Sequence, residues 1–258
     1  MALVSGRYFE TRARVYRRTW RGNVVTTFLN PVLYLAAMGL GLGTLVDEGA
    51  GREAVEGFAY LTYLAPGLLA ATTMQTGAGD GSWPVMAGIK WQKTYEAALS
   101  TPISVRDLVV GHLMWVGLRV TFTALVFVVV MALFGAVSIG SGLLAIVPAA
   151  LTGLAFAAPI TAYTATLKDV QGMVSLFRFG IVPMFLFSGT FFPITQLPGW
   201  LQPVAYATPL WHGVELTRAT ALDVGTTWNP TINIAYLLLF VAAGTALSIR
   251  NLGKRMRT

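Results

Sequence analysis

The sequence predicts an all-α integral membrane protein with six transmembrane helices. Only 11% of its 258 residues are charged and 55% are hydrophobic, whereas soluble domains carry about 25% charged residues. Five long runs contain no Asp, Glu, Lys or Arg: residues 22–46, 57–79, 120–167, 179–214 and 224–249. A membrane-spanning helix needs about 20 apolar residues, and the third run is long enough for two of them.

The charges that the chain does carry are distributed as in a membrane protein. The net charge is +7, and the basic residues lie in the two tails and at loop ends, as expected of cytoplasmic segments. No basic face is interleaved with base-stacking aromatic residues, so nucleic-acid binding is not predicted. The chain has no cysteine, which excludes disulfides and thiolate metal sites, and no signal peptide is predicted from its Arg-rich start.

Residues 6–21 predict an amphipathic helix that lies on the membrane surface. Phe9, Tyr16 and Trp20 share one helical face, and Arg14 and Arg18 lie on the opposite face. The aromatic face would lie among lipid headgroups, and the arginine face would point towards anionic lipid or a partner. Two interpretations stay open for this helix: a topological anchor, or a contact with a cytoplasmic partner.

The first two spans are predicted over residues 23–45 and 58–79, joined by an acidic loop that suits the outside. Gly39 and Gly43 form a GxxxG pair in the first span, which allows close helix approach at a dimer interface or within the chain. The glycines that surround Asp80 are expected to loosen the end of the second span, and Pro84 is expected to close it.

A short cytoplasmic helix is predicted over residues 88–101, because Pro102 disfavours helical continuation in the residue before it. Trp91 and Tyr95 share one face of this helix, and Glu96 lies on another. A helix with one aromatic stripe can rest on the membrane surface or enter the groove of a partner protein. Periodicity alone leaves both interpretations open.

Four further spans are predicted over residues 108–134, 143–166, 173–192 and 230–249. Arg119 lies inside the third span, where a charge is unfavourable unless it is accommodated. Its side chain is therefore expected to reach the inner interface, to pair with another residue of the chain, or to contact substrate.

Between the fifth and sixth spans the chain stays apolar but cannot form one straight helix. Pro193, Pro198, Pro203 and Pro209 follow each other at intervals of five or six residues, and each interrupts a helix. Irregular backbone at membrane depth survives only where protein or a water-filled cavity satisfies it. We therefore expect short re-entrant helices over residues 194–220 on the outside, and six spans then place both basic termini in the cytoplasm.

Two stretches of the sequence resemble a known family. Residues 90–104, KWQKTYEAALSTPIS, resemble the coupling-helix region of ABC-2 type permeases, in which a Glu-containing helix followed by Thr-Pro connects spans two and three. Residues 185–218 resemble the SGxxFP…LPxWLQ…PLxHxVExxR region of the same family, as it occurs in the exporters of Nod factors, daunorubicin and polysaccharides. The six spans and the amphipathic helix extend the resemblance over a single domain, residues 1–258.

The resemblance implies the permease half of an ABC exporter in a bacterial cytoplasmic membrane. Such a subunit moves an amphipathic drug, lipid, glycolipid or oligosaccharide outward, and it pairs with a second permease subunit, either identical or related. Two copies of a separate ATPase subunit, which carry the ATP and Mg, dock beneath this pair. The coupling residues would be Trp91, Thr94, Tyr95, Glu96, Leu99 and Pro102. The external re-entrant region would contain Pro193, Pro198, Trp200, Pro209, His212, Glu215 and Arg218.

Several residues of the external region have two interpretations each. His212 could titrate near neutral pH or serve as a hydrogen-bonded structural residue. Glu215 and Arg218 are three residues apart and would pair on a helix surface, either as a structural clamp or for substrate binding. Trp200, Tyr206 and Trp211 would lie in the aromatic belt of the membrane interface or form the wall of a binding site for a lipid or drug.

Missing motifs exclude enzymatic activity of this chain by itself. No GxxxxGK[ST] sequence is present, so the chain lacks the loop that cradles ATP phosphates. An ion-coupled carrier is the alternative, but it would be expected to hold acids within the membrane, whereas every acid here is predicted to lie at or near a loop. A non-transporting membrane scaffold is a further alternative, and it would be expected to cluster His or Asp residues at one interface.

Overall fold

The computed structural model describes residues 27–48 and 57–256, together with Gly6, Phe9, Glu10, Ala13, Arg14 and Val55. Every regular element in this part of the chain is a helix, which confirms the predicted all-α class. Tyr16, Arg18 and Trp20 of the predicted interfacial helix lie outside the described residues.

Nine helices of five or more residues, α1 to α9, lie in the part of the chain that the structure describes, together with a short 3-10 helix, Ile194–Gln196. They are α1 over residues 27–48, α2 (Tyr60–Met86), α3 (Thr94–Leu99), α4 (Val105–Leu133), α5 (Ile139–Thr164), α6 (Gln171–Phe187), α7 (Gln202–Tyr206), α8 (Pro209–Leu222) and α9 (Pro230–Arg255). This part of the chain also contains three π-helical stretches: Leu35–Leu42 within α1, Ala87–Trp91 directly after α2, and Phe177–Ile181 within α6.

Three of these helices, α4, α5 and α9, are long and apolar enough to cross a membrane. Their N-termini are capped by side chains, as sequence rules predict. Ser104 and Asp107 form a capping box at the start of α4, with Ser104 Oγ accepting from the Asp107 N–H at 3.1 Å. Ser138 caps α5 and Asn229 caps α9 in the same way.

Helix α2 lies in the middle of the bundle and packs against α4, α5 and α8. Most of its residues are buried, including the full length from Tyr63 to Ala71. Small residues make this packing possible, and the closest approach is between Gly77 and Gly153 of α5. A Cβ on Gly77 would overlap the Gly153 backbone, lying only 2.8 Å from its carbonyl carbon. Because α2 faces protein rather than lipid, it tolerates threonines and glycines that a lipid-facing helix would replace with larger apolar residues.

The predicted end of the second span is wrong. Helix α2 does not stop near Gly79 or at Pro84, but runs through Pro84 to Met86 and continues as π-helix to Trp91. The physical reason is tertiary packing, which overrides local propensity. Val85 and Met86 are fully buried, so this turn of helix is held by its neighbours despite the missing proline donor.

The GxxxG glycine of the first span packs within the chain. Gly39 of α1 is buried, and a Cβ there would overlap the side chain of Leu61 in α2. The close approach that Gly39 allows is therefore made between α1 and α2 of one chain.

Helix α6 ends at Phe187, five residues before the predicted end at residue 192. Gly189 then adopts the left-handed conformation with φ of +77°, which a glycine adopts without strain. Two of the four prolines that follow begin α-helices: Pro203 lies in the first turn of α7, and Pro209 is the first residue of α8. At that position the missing N–H has no helical acceptor to lose.

Candidate functional site

The predicted coupling region is divided by a sharp joint between α2 and α3. The π-helical end of α2 stops at Trp91, and Lys93 adopts the left-handed conformation with φ of +50° before α3 begins at Thr94. The predicted continuous helix over residues 88–101 is therefore wrong. Trp91 and Tyr95 do not share a helical face, because the joint turns α3 away from the axis of α2.

Tyr95 anchors α3 to the rest of the bundle. Its side chain is only 2% exposed and lies in an apolar cluster with Ile89 and Leu108. Gly88 makes room for the ring, since a Cβ on Gly88 would lie 2.7 Å from Tyr95 Cε1. Leu99 is half-buried and packs against the same cluster. The position of α3 is thus fixed by contacts inside the chain.

The other predicted coupling residues are exposed and form a surface, called here the coupling surface: Trp91, Thr94, Glu96 and Pro102. Trp91 is 55% exposed, which is unusual for so large an apolar side chain. The Glu96 carboxylate lies 4.0 Å from Lys93 Nζ, an exposed pair that contributes little to stability. The coupling surface therefore combines an aromatic ring with polar groups, held in place by the buried Tyr95.

One residue of the predicted interfacial helix has a contact that the sequence did not indicate. The ring of Phe9 meets the ring of Trp115 in α4 edge-on, with 5.7 Å between centroids. On the other face Arg14 is exposed, and its Nη2 lies 3.8 Å from Glu10 Oε2. Phe9 thus packs against the bundle, and Arg14 is accessible for lipid or a partner.

A partly buried ion pair joins α2 to α4. Arg119 Nη1 donates to Asp80 Oδ1 at 2.9 Å, and Asp80 is only 7% exposed. Among the three interpretations of Arg119, the structure supports a partner within the chain. The expectation that every acid lies at or near a loop is wrong for Asp80, because α2 continues through it. The signal available in the sequence was a single acid inside α2 and a single base in the middle of α4, whose other charges lie in its first turn.

Arg218 holds α8 to α2 and to the turn that follows α6. Its Nη2 donates to the Gly189 carbonyl at 2.9 Å, and its Nε donates to the Tyr63 carbonyl at 3.3 Å. The guanidinium also lies 3.9 Å from the centre of the Tyr63 ring, a cation–π arrangement. With 6% exposure, Arg218 is a buried cation whose charge is compensated by carbonyl dipoles and an aromatic face.

The predicted Glu215–Arg218 pair does not form. Glu215 Oε2 accepts instead from the Thr227 N–H at 2.8 Å. Each side chain therefore holds a different segment: Arg218 holds α8 to α2 and to the turn after α6, and Glu215 holds the loop that leads into α9. The contacts of both residues are structural ones.

Replacing Arg218 with methionine is expected to destabilise the protein by about 3 kcal/mol. The variant removes two hydrogen bonds that a charged donor makes with buried carbonyls, each contributing about 1.5 to 3 kcal/mol. The melting temperature of the purified chain in one detergent measures the change. Thr220→Val is the matched control, because Thr220 Oγ1 bonds only to carbonyls of its own helix. Equal melting temperatures for the Arg218→Met and Thr220→Val proteins would contradict the proposal that Arg218 holds α8 in place.

His212 lies in an aromatic cluster between α8 and α9. Its ring is 1% exposed, stacks on Tyr236 with 4.0 Å between centroids, and forms a 2.7 Å hydrogen bond from Nδ1 to Asn233 Oδ1. Trp211 is buried beside it, with 3% exposure. Trp200 by contrast is 76% exposed. The geometry favours a hydrogen-bonded structural role for His212, and it leaves Trp200 for the aromatic belt or a partner.

Three long apolar helices packed around the buried α2 define a polytopic helical membrane protein. The model of the ABC-2 type transporter membrane family matches residues 9–222. This chain belongs to that family.

Individual relatives agree with this assignment. Nodulation protein J from Rhizobium meliloti (strain 1021) is 31% identical over 207 residues, 80% of this chain and 77% of the relative. Nodulation protein J from Sinorhizobium fredii (strain NBRC 101917 / NGR234) is 30% identical over 249 residues, 94% of this chain and 92% of the relative. The inner membrane transport permease YadH of Escherichia coli (strain K12) is 21% identical over 216 residues, 81% of this chain and 79% of the relative. The chain is thus a permease subunit of a transporter, and its family implies an ABC ATPase as partner.

Proposed function

We propose that this chain is the transmembrane subunit of an ABC exporter that moves an amphipathic substrate out of the cytoplasm or the inner leaflet. The substrate class is a drug, lipid, glycolipid or oligosaccharide. Two permease subunits, identical or related, pair in the bacterial cytoplasmic membrane. ATP is hydrolysed with Mg on two separate ATPase subunits, which dock against the coupling surface.

The proposed topology has six spans, formed by α1, α2, α4, α5, α6 and α9. Helices α4, α5 and α9 are apolar enough to span on their own, and α2 is supported by its burial among them. Both termini are then cytoplasmic, and α7 and α8 form the external re-entrant region. The exposed apolar side chains of α4 support a lipid-facing helix, since Met114, Leu118 and Phe122 recur at helical spacing.

The observation that carries the proposal is the coupling surface itself. A large aromatic side chain, Trp91, stands exposed beside the polar Thr94 and Glu96, while Tyr95 between them is buried. Exposed aromatic residues with a polar rim are typical of protein interfaces. Because α3 follows α2 directly, a partner that moves α3 acts on the central helix of the bundle.

The test is a double variant of the coupling surface, Trp91→Ala with Glu96→Arg. Loss of an interfacial aromatic anchor weakens the binding free energy by at least about 2 kcal/mol. Co-purification of the ATPase and ATP-dependent export are therefore expected to fall roughly 30-fold. The melting temperature of the permease should stay unchanged, since both side chains are exposed. Tyr95→Asp should lower that melting temperature, because Tyr95 belongs to the core.

The control for this test is Arg106→Gln, which removes an exposed charge at the start of α4 outside the coupling surface. Its ATPase recovery and export should match those of the unchanged protein. Full export by the double variant would remove the coupling assignment. Absence of any ATPase from preparations of the unchanged protein would remove the exporter assignment.

An ion-coupled carrier is the second candidate, and the buried Asp80 is the observation that favours it. The ion pair between Asp80 and Arg119 argues against an ion-coupled carrier, because a carboxylate that accepts from a guanidinium at 2.9 Å is not available to a transported cation. Transport by inside-out vesicles that needs ATP and survives an uncoupler supports the exporter. Transport that follows an ion gradient without ATP supports the carrier.

A further inference from the structure

A groove of about 440 Å³ lies at the end of the bundle that carries α3, between the ends of α5 and α9. Five of the six residues that line it are polar or basic, although the stems of their side chains give it much apolar surface: Ala165, Thr166, Lys168, Asn251, Lys254 and Arg255. Lys90 Nζ donates to the Lys168 carbonyl at 3.1 Å, which places the groove on the side of the coupling surface. The coupling surface does not include any of the residues that line it.

The C-terminal end of α5 forms one wall of the groove, and side chains of α9 donate hydrogen bonds to its carbonyls. Arg255 Nη1 donates to the carbonyls of Ala165 and Leu167, and Asn251 Nδ2 donates to the Ala162 carbonyl at 3.1 Å. The negative end of α5 is therefore neutralised by Arg255. These bonds fix the shape of the groove without using its lysines.

Two cations in the groove are available for a ligand. The side chains of Lys168 and Lys254 are exposed, and neither has an ion-pair partner in the part of the chain that the structure describes. Asp169 is the neighbouring acid, and its Oδ1 accepts from the Gln171 N–H at 3.0 Å. Two ammonium groups beside the Arg255 guanidinium attract an anion with several oxygen atoms.

An exposed apolar stripe leads from the groove along α9. Leu239, Ala243 and Leu247 are exposed and follow each other at intervals of four residues, and Asn251 of the groove continues the same face. Leu239 is 62% exposed and Leu247 is 46% exposed. The basic groove thus lies at the end of a surface that suits an acyl chain.

We propose that this groove binds the phosphate headgroup of an anionic phospholipid, with one acyl chain along the stripe of α9. Basic pockets at the ends of transmembrane helices recognise such headgroups. The apolar stripe selects a lipid over an acidic protein, because a soluble partner would have no use for a surface at membrane depth. The site is separate from the coupling surface, and it does not depend on the exporter assignment.

In the test, the purified full chain in detergent is titrated with phosphatidylglycerol, and its melting temperature is measured at each lipid concentration. Phosphatidylcholine and inorganic phosphate are titrated in parallel. Phosphatidylglycerol is expected to raise the melting temperature of the unchanged protein. In the double variant Lys168→Gln with Lys254→Gln the apparent Kd should be roughly 30-fold weaker. Lys93→Gln with Arg106→Gln is the matched control, which removes the same charge elsewhere at this end of the bundle.

Each outcome of the titration decides the proposal. The lipid site is supported if phosphatidylglycerol still stabilises the control double variant (the control pair) but no longer stabilises the Lys168→Gln, Lys254→Gln double variant (the groove pair). Equal weakening of both pairs would mean a general charge effect and overturns the proposal. Equal stabilisation by inorganic phosphate assigns the groove to a free anion, and loss of the ATPase partner from the groove pair at unchanged lipid affinity assigns it to a protein. Either result overturns the lipid assignment.

Discussion

Replacing Gly77 with alanine is expected to lower the stability of the protein by about 3 kcal/mol, or roughly 10 °C in melting temperature. The added Cβ would overlap the backbone of Gly153, and a backbone cannot rotate away as a flexible side chain can. The converse change meets the same obstacle, because a Cβ on Gly153 would lie 2.9 Å from the Thr73 carbonyl. The two helices must separate to admit the methyl group, which opens the packing along their whole contact.

Gly79 supplies a matched control two residues further along α2. A Cβ on Gly79 has no neighbour within 4 Å. Gly79→Ala should therefore be neutral or slightly stabilising, since alanine is favoured over glycine in a helix by about 1 kcal/mol. The two alanine variants differ only in what the methyl group meets. Equal melting temperatures for the two proteins would show that α2 and α5 do not make this backbone contact.

Replacing Asp80 with asparagine is expected to destabilise the protein by about 3 kcal/mol. Removal of one partner from a buried ion pair leaves the other charge uncompensated, which is usually worse than loss of the pair. Arg119 is the charge left behind, in the middle of α4 and with its side chain 28% exposed. The melting temperature of the purified chain reports the effect, and Asp169→Asn on the exposed loop is the control for loss of one negative charge.

A double-mutant cycle separates the pair from its surroundings. Arg119→Gln alone should be destabilising as well, because it leaves the Asp80 carboxylate buried. The protein with both Asp80→Asn and Arg119→Gln should be more stable than the sum of the two losses implies, with an interaction energy of about 1 to 3 kcal/mol. Strictly additive losses would show that the two side chains do not depend on each other.

The main helices could be predicted from the sequence because most of their length lies in apolar runs with few or no charged residues. The predicted spans at residues 108–134 and 143–166 differ by a few residues from α4 and α5. The end of α2 could not be predicted, since glycines and a proline are helix breakers by local rules. Val85 and Met86 continue the helix because they are buried by neighbouring helices, and a local pattern does not contain that information.

The candidate site was predictable in its location but not in the roles of its residues. The motif at residues 90–104 singled out this segment for the coupling role, which stays a prediction, and a helical wheel placed Trp91 and Tyr95 together. The left-handed Lys93 separates them, and lysine carries no signal for that conformation. Spacing predicted an ion pair between Arg218 and Glu215. Arg218 instead donates hydrogen bonds to the carbonyls of Tyr63 and Gly189, which are far away in the sequence.

The course of α2 through the bundle has a mechanical consequence. From Tyr60 to Trp91 the helix is uninterrupted, and at about 1.5 Å per residue it is a rod of roughly 48 Å. The glycine crossing with α5 divides this rod into arms of roughly 26 Å and 21 Å. Backbone contact at the crossing opposes sliding more than tilting, so the crossing has the geometry of a fulcrum. A tilt about it displaces Trp91 at one end and Tyr63, the attachment point of Arg218, at the other in opposite directions and by similar amounts.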